Sequence, residues 1–281
     1  MIARVVDIGM LEYATIGSMD INRLRIIGRK GGLARIALHG NFGTHEGRRK
    51  GGFNSIRTHS KNKTGFKVLK SITIPGHSVR LAELIGILMG DGHVGLYQVS
   101  VATNSETDFQ HALFVKTLIE DLFKVQVRLH NRKDKKASII TVSSKSLSQF
   151  LVGQGIPQGN KINLGLHIPG WIQKKLLYRK AFIRGLFDTD GCVYLDTHRS
   201  GGKVYENLGM AFANQSIPLL SSFKKTLESL GFHPTQKTKF RVFLRRREDI
   251  RGYFNLVGSS NEKHLKKVSQ YFSTLQKGGV A

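Results

Sequence analysis

An internal duplication restricts the fold of this chain more than any other feature of its sequence. Residues 84–92 read LIGILMGDG and residues 183–191 read IRGLFDTDG, with their Asp-Gly steps 99 positions apart. Downstream, Phe114-Val115-Lys116-Thr117-Leu118 is answered by Phe223-Lys224-Lys225-Thr226-Leu227. Phe150 to Gly153 followed by Asn160-Lys161 is answered by Phe254 to Gly258 followed by Asn261-Glu262-Lys263. Landmarks that recur in the same order mark residues 79–178 and 179–281 as two diverged copies of one unit.

Each copy reads as an apolar helix ending in Asp-Gly, alternating strands, an amphipathic helix, further strands and closing helices. In the first copy the second helix spans about Asp108 to Phe123. The strand after it places Val125, Val127 and Leu129 on one face and Gln126, Arg128, His130 and Arg132 on the other. In the second copy Thr238, Phe240, Val242 and Leu244 alternate with Lys237, Lys239, Arg241 and Arg245. A period of two with one basic face predicts half-buried antiparallel sheets whose outer faces line a groove for phosphates. The expected class is α+β: two pseudo-symmetric αββαββα repeats forming an antiparallel β-saddle.

Charge supports a polyanionic partner. The 281 residues hold 44 Lys+Arg against 19 Asp+Glu, a formal net charge of +25, and neutralised phosphates release condensed counterions. The single cysteine, Cys192, excludes an internal disulfide framework and a Cys-rich zinc site. No secretory leader opens the sequence and no window approaches the roughly 18 apolar residues of a membrane span. An intracellular protein, cytoplasmic or organellar and without a membrane partner, is expected.

Residues 21–70 are a basic stretch apart, with 13 Lys+Arg, nine glycines and one acid, Glu46. Gly28-Arg29-Lys30-Gly31-Gly32 recurs nearly as Arg48-Arg49-Lys50-Gly51-Gly52. The stretch reads either as two basic Gly-Gly turns set against phosphates or as a solvated arm. Residues 1–78 are therefore an N-terminal extension, with Ile74-Pro75-Gly76-His77 as a hinge and Ser78 as N-cap of the next helix. His39, His45, His59 and His77 have no cysteine beside them and read as surface or phosphate contacts rather than zinc ligands.

The chemistry is expected where the two apolar helices end. Leu81, Leu84, Ile85 and Leu88 in one, and Ile183, Leu186 and Phe187 in the other, give apolar surfaces broken by Gly86 and Gly185. Small residues at helical spacing let two backbones approach closely. If the helices pack through these faces, Asp91 and Asp190 emerge at the same end. Two carboxylates beneath a basic groove repel unless a cation lies between them. Mg²⁺ suits that place, since it uses one or two protein carboxylates together with phosphate oxygens and water; another divalent cation such as Mn²⁺ is the alternative.

LIGILMGDG and IRGLFDTDG resemble the paired motifs of the single-chain LAGLIDADG homing endonucleases, and the resemblance covers roughly residues 79–281. It implies that Asp91 and Asp190 bind the metals, that the motif helices form the interface between the halves, and that Asp188 is structural. It also implies a lysine near the end of each half, Lys161 and Lys263, to stabilise charge or polarise water. Asn104 and Gln215 take the places of amides that orient attacking water. Met89 and Gly90 depart from the family pattern in the first motif. Double-stranded DNA is the implied partner of a monomer, contacted by Gln98, Gln126, Arg128, His130 and Arg132 in one half. In the other half the contacts are Tyr194, His198, Arg199, Lys203, Lys237, Lys239, Arg241 and Arg245. The second hairpin, Tyr194 to Met210, is the longer, which implies an asymmetric target. The leading reading is a site-specific endonuclease serving the homing of an intron or intervening sequence. A maturase binding intron RNA, or a transcription regulator, is the alternative on the same scaffold. An intein-embedded nuclease is disfavoured because no His-Asn step closes the sequence.

Overall fold

The computed structural model describes residues 21–39, 43–62, 69, 71–161 and 165–278. The chain divides into two units, Met1–Val68 and Leu69–Ala281. In the first, the two basic Gly-Gly segments form helices instead of turns: α1 (Ile21–His39) and α2 (His45–Lys61). Thr44 caps α2 by accepting a hydrogen bond from the Gly47 amide at 3.0 Å. Glycine permits a turn but does not require one, and the Arg and Lys around both pairs, joined by Leu and Ala in α1, favour helix.

The second unit contains the duplication. The first copy runs α3 (Val79–Gly90), β1 (Gly92–Val94), β2 (Gln98–Asn104), α4 (Phe109–Phe123), β3 (Arg128–Asn131), β4 (Ala137–Ser143), α5 (Lys145–Gly153) and the short α6 (Gly170–Gln173). The second runs α7 (Leu176–Asp190), β5 (Gly191–Ser200), β6 (Lys203–Ala213), α8 (Ile217–Ser229), β7 (Thr235–Thr238), β8 (Arg241–Leu244), α9 (Arg247–Leu256) and α10 (Glu262–Gly278). Both sheets are antiparallel with the same connectivity, β1-β2-β4-β3 and β5-β6-β8-β7. The fold is thus α+β with two four-stranded repeats.

Ser78 caps α3 through the Leu81 amide at 3.2 Å. The segment before it is tied down, unlike the expected hinge. Thr73 donates its amide to the Phe123 carbonyl at 2.9 Å, the His77 ring stacks on Trp171 at 4.1 Å, and the Tyr178 hydroxyl donates to the His77 carbonyl at 3.0 Å. Once Ile72 packs against the core, the Pro-Gly step has neighbours that fix it.

The run from Lys237 to Arg245 is not one strand. β7 and β8 form a hairpin that turns at Lys239-Phe240, leaving Val242 and Leu244 buried but Thr238 and Phe240 exposed. Alternation survives a two-residue turn, so periodicity alone did not reveal it. The longer second hairpin is present, closed by Gly201-Gly202 at φ +56° and +78°, the backbone a tight primed turn demands.

The core is centred on α3 and α7, which cross at their glycines. A Cβ at Gly86 would overlap the Phe182 carbonyl, and one at Gly185 would overlap the Glu83 carbonyl. Beside this contact Arg184 pairs with the buried Glu83 through two hydrogen bonds, and Ser260 donates to the same carboxylate.

One buried group predicts an acid sensitivity. His264 is 1% exposed, and among the described residues neither ring nitrogen has a partner. Burial, with Lys263 nearby, lowers its pKa to about 3. The folded state therefore keeps His264 neutral, while the unfolded chain protonates it below about 6.5. Its contribution is complete above pH 6.5 and is lost as pH falls towards 3, by about 1.4 kcal/mol per unit. Asp188 titrates in the opposite sense over part of this range, so the effect is best isolated by difference. Denaturant titrations of wild type and His264→Phe should diverge in favour of the variant as pH drops from 6.5 to 4. A constant gap would show that the ring carries no such penalty.

Candidate active site

The glycine contact between α3 and α7 determines where the helices end. A Cβ at Gly90 would overlap Thr189 and would lie 3.5 Å from Oδ2 of Asp190, so the Asp190 carboxylate sits beside the residue preceding Asp91. The two aspartates therefore meet at one end of the helix pair, each opening onto the first strand of its sheet. Asp91 keeps an exposed edge, yet crowding by protein and then the charge of Asp190 raise its pKa to about 6. Burial also raises that of Asp190, against a hydrogen bond from Asn214 and the charge of Lys161.

Lys161 lies at this site, bonded to the helix end. Its ammonium donates to the carbonyls of Leu88 and Met89 at 3.1 Å each and to that of Gly90. The free carbonyls at a helix C-terminus attract a cation. Burial lowers the Lys161 pKa, while Asp190 and then Asp91 oppose the shift. Lys263 is held differently. It pairs with Asp108 at 2.8 Å, and Asn261 donates to the same Asp108 oxygen at 2.8 Å. Burial alone would raise the Asp108 pKa, but these hydrogen bonds outweigh it and the net shift is downwards. Lys263 still lies close enough to lower the pKa of Asp91, so it borders the site from the first copy's side with its charge already compensated.

The amides are arranged unlike the sequence expectation. Asn214, one residue before Gln215, donates Nδ2–H to Asp190 Oδ2 at 2.8 Å, and Gln215 is exposed. Asn104 accepts from the amides of Glu106 and Thr107 at 2.8 and 3.0 Å, which makes it a turn residue. Asn214 Oδ1 accepts the Ser216 amide at 2.8 Å in the same way, so Asn104 and Asn214 are counterparts. Setting Thr103-Asn104-Ser105 against Ala213-Asn214-Gln215 in sequence is the signal that locates Asn214. Asp188 is 2% exposed and accepts from the Ser259 hydroxyl at 2.5 Å and the Ser260 amide at 2.6 Å. It anchors the loop before α10, and burial raises its pKa to about 7.

Strand register assigns the groove residues to faces. In the first sheet His93, Ser100, Thr141 and Arg128 form one row across the strands, and Ala102, Ile139 and His130 the next. Both rows lie opposite the buried Val99, Val101, Ile140 and Val142. Gln98 shares that face, Gln126 is exposed just before β3, and Arg132 is exposed but paired with Asp134. In the second sheet Cys192, Ala211 and Phe243 form a row, flanked by Tyr194 and Arg241. With Asp190 and Ala213 they line a cavity of about 430 Å³ next to the C-terminal end of α7.

Along β5, His198 alternates to the same face as Tyr194, whereas Arg199 falls on the opposite one, a correction to its expected place in the groove. His198 stacks on Tyr205 at 5.6 Å, and Lys203 is exposed beside the turn. Lys237 is exposed on β7, Lys239 lies over the Phe240 ring at 5.3 Å, and Arg245 lies over the Phe243 ring at 5.0 Å.

The two carboxylates alone make a sparse donor set; among the described residues no cluster of three His, Cys, Asp or Glu is suited to a metal. That set nevertheless fits Mg²⁺ or Mn²⁺ when phosphate oxygens and water complete the shell. The pKa rise that Asp190 imposes on Asp91 is the charge imbalance a cation relieves.

Residues 178–271 match the family model described as a LAGLIDADG-like domain. The chain is 28% identical over 211 residues to a tRNA-splicing ligase RtcB of Methanopyrus kandleri, covering 66% of this chain and 21% of that protein. It is 28% identical over 127 residues to the RtcB of Pyrococcus abyssi, covering 40% and 14%. The chain thus spans about a fifth or less of the length of these curated relatives. Among solved structures, the LAGLIDADG homing endonuclease I-LtrWI bound to target DNA superposes with a TM-score of 0.50 at 13% identity, over 71% of this chain and 92% of that one. I-DmoI in complex with DNA and Mn gives a TM-score of 0.44 at 18% identity, over 64% and 97%. Residues 178–271 are thus similar to a LAGLIDADG-like domain, and the repeat pair shares the fold of I-LtrWI.

Proposed function

We propose that this chain, which carries a LAGLIDADG-like domain in a duplicated LAGLIDADG fold, is a site-specific double-strand DNA endonuclease dependent on a divalent cation, Mg²⁺ in the first instance. One observation carries the reading: Asp91 and Asp190 converge at one end of a glycine-packed helix pair, between two sheets of identical topology. Each sheet offers an outer face to half of a duplex, so one chain supplies both halves of the site and acts as a monomer. A cation bound there supplies Lewis acidity and a water made acidic enough to attack phosphorus.

The remaining chemistry belongs to the chain. Asp91 and Asp190 would hold the cation. Asn214 fixes the Asp190 carboxylate by donating to its Oδ2. Lys161, bonded to the carbonyls that close α3, lies beside both acids, where negative charge would build up on the phosphate. His93, Ser100, Thr141 and Arg128 on one side, and Tyr194, Phe243 and Arg241 on the other, face the duplex and differ enough to read unlike half-sites. A ligase activity is not proposed, since the matched segments are 21% and 14% of the RtcB chains.

The test is a cleavage screen of the purified full chain on plasmid libraries of host DNA with the coding insertion removed. With Mg²⁺ one dominant double-strand cut is expected, and none with EDTA. Binding without nicking over hours in Mg²⁺ would instead favour the non-cleaving maturase or regulator.

A further inference from the structure

The basic N-terminal unit carries a duplication of its own. Residues 29–39 read RKGGLARIALH and residues 49–59 read RKGGFNSIRTH, so Arg, Lys, Gly, Gly, Ile and His recur twenty positions apart and Phe53 answers Leu33. The copies lie in α1 and α2. At about 100° per residue, Leu33 and Ile36 flank Arg29 on one face, with Gly32 on one side and Lys30 on the other. Phe53, Ile56, Arg49, Gly52 and Lys50 repeat the arrangement. Leu33, Ile36, Phe53 and Ile56 are 41–61% exposed, and α2 buries no residue.

Glycine in a helix interior costs about 1 kcal/mol relative to alanine, yet each helix keeps a pair. Among the described residues none requires them: a Cβ at Gly31, Gly32, Gly51 or Gly52 would meet no atom of these within 4 Å. A costly feature kept twice at equivalent places, without an internal steric cause, suits a surface that another molecule's backbone approaches closely. The chemistry of that molecule follows from charge. Residues 21–61 hold ten Lys+Arg and the one acid Glu46, which fits regularly spaced phosphates. Although α1 exposes Leu24, Ile26, Ile27, Leu33, Ile36 and Leu38, its counterpart α2 has only Phe53 and Ile56 as large apolar residues, too few to anchor a helix in the headgroup layer, so for the two helices together an anionic membrane is the poorer match.

We propose that the N-terminal unit is a second duplex-DNA-binding module, made of two equivalent helices that each set an Arg-Lys pair on phosphates and bring a Gly-Gly pair against the sugar-phosphate backbone. It rests on the reading above only for the partner being DNA. The test uses the full chain and a nonspecific 30-bp duplex, with affinity followed across salt concentrations. Arg29→Ala/Lys30→Ala and Arg49→Ala/Lys50→Ala should each flatten the slope of log affinity against log salt by about 1.8, the value for two phosphates at about 0.9 each. The two pairs should be equal and additive. Gly32→Leu/Gly52→Leu should weaken binding although leucine is the better helix former. The melting of the second unit should not move, since all these residues lie outside it. A steep wild-type slope that no variant changes would overturn this proposal and leave the nuclease reading intact. No binding of any duplex by wild type would defeat both. Loss of binding to phosphatidylserine vesicles, with DNA binding intact, would assign the helices to membranes and overturn it.

Discussion

Asp91→Asn is expected to abolish Mg²⁺-dependent cleavage, by roughly three orders of magnitude or more, the scale on which loss of a single electrostatic stabiliser acts. DNA affinity should stay within about tenfold, because the sheet faces that meet the duplex are untouched. Asp190→Asn should do the same, and the double variant should lose no more than either single one, since the acids act as a unit. A second readout separates this from a folding defect. In the metal-free protein the folded pKa of Asp91 is about 6, raised by burial and by Asp190, against about 3.9 unfolded. A raised carboxyl pKa gives stability at low pH that is lost as pH rises through the folded value. Wild type should therefore melt below Asp91→Asn at pH 7.5, and the gap should close as the buffer is taken below pH 6. Inactivation together with stabilisation is the behaviour of a site kept strained for function. Added Mg²⁺ should raise the melting point of wild type and not of the variant. Persistent cleavage by the double variant would remove the two aspartates from the mechanism.

The duplication was legible because both Asp-Gly steps end apolar helices and because the landmarks recur in order. The place of Asp91 and Asp190 in the fold follows from that alone. What stayed hidden depended on partners far apart in sequence. Lys263 lies close enough to act on Asp91, but its charge is taken by Asp108, 155 residues earlier and in the other repeat. Lys161 is bound by the three carbonyls that close α3, an attraction set by where a helix stops, which no residue type encodes. Asn214 was missed by one position because the unequal hairpins upstream shift the count between copies; matching the strand ends corrects it. Arg199 was misplaced for a related reason: composition makes a basic hairpin tip look uniform, whereas pleating sends neighbours to opposite faces. In the N-terminal segment glycine suggested turns, and the helices there emerged from residues whose propensity prevailed, with no core to support them among the described residues.

The largest structural effect is expected at the crossing of α3 and α7. Gly86→Val should destabilise the second unit by about 3 kcal/mol or more, the upper end for overpacking, because the obstacle is the Phe182 carbonyl with the Leu186 amide 3.1 Å away. Backbone cannot swing aside as a side chain does. For a unit of about this size that amounts to a drop of roughly 10 °C in the melting midpoint. Gly185→Val meets the Glu83 carbonyl and the Ile87 amide, the latter at 2.9 Å, and should behave alike. Gly153→Ala provides the control: a Cβ there meets nothing within 4 Å, so its melting point should hold or rise slightly. Activity sharpens the test. Variants that stay folded near 20 °C should bind DNA but cleave poorly, since forcing the helices apart also separates Asp91 from Asp190, and misplacement by about 1 Å is enough to cost about a hundredfold. If Gly86→Val melted like wild type and cut normally, the close helix contact would not be what brings the two acids together.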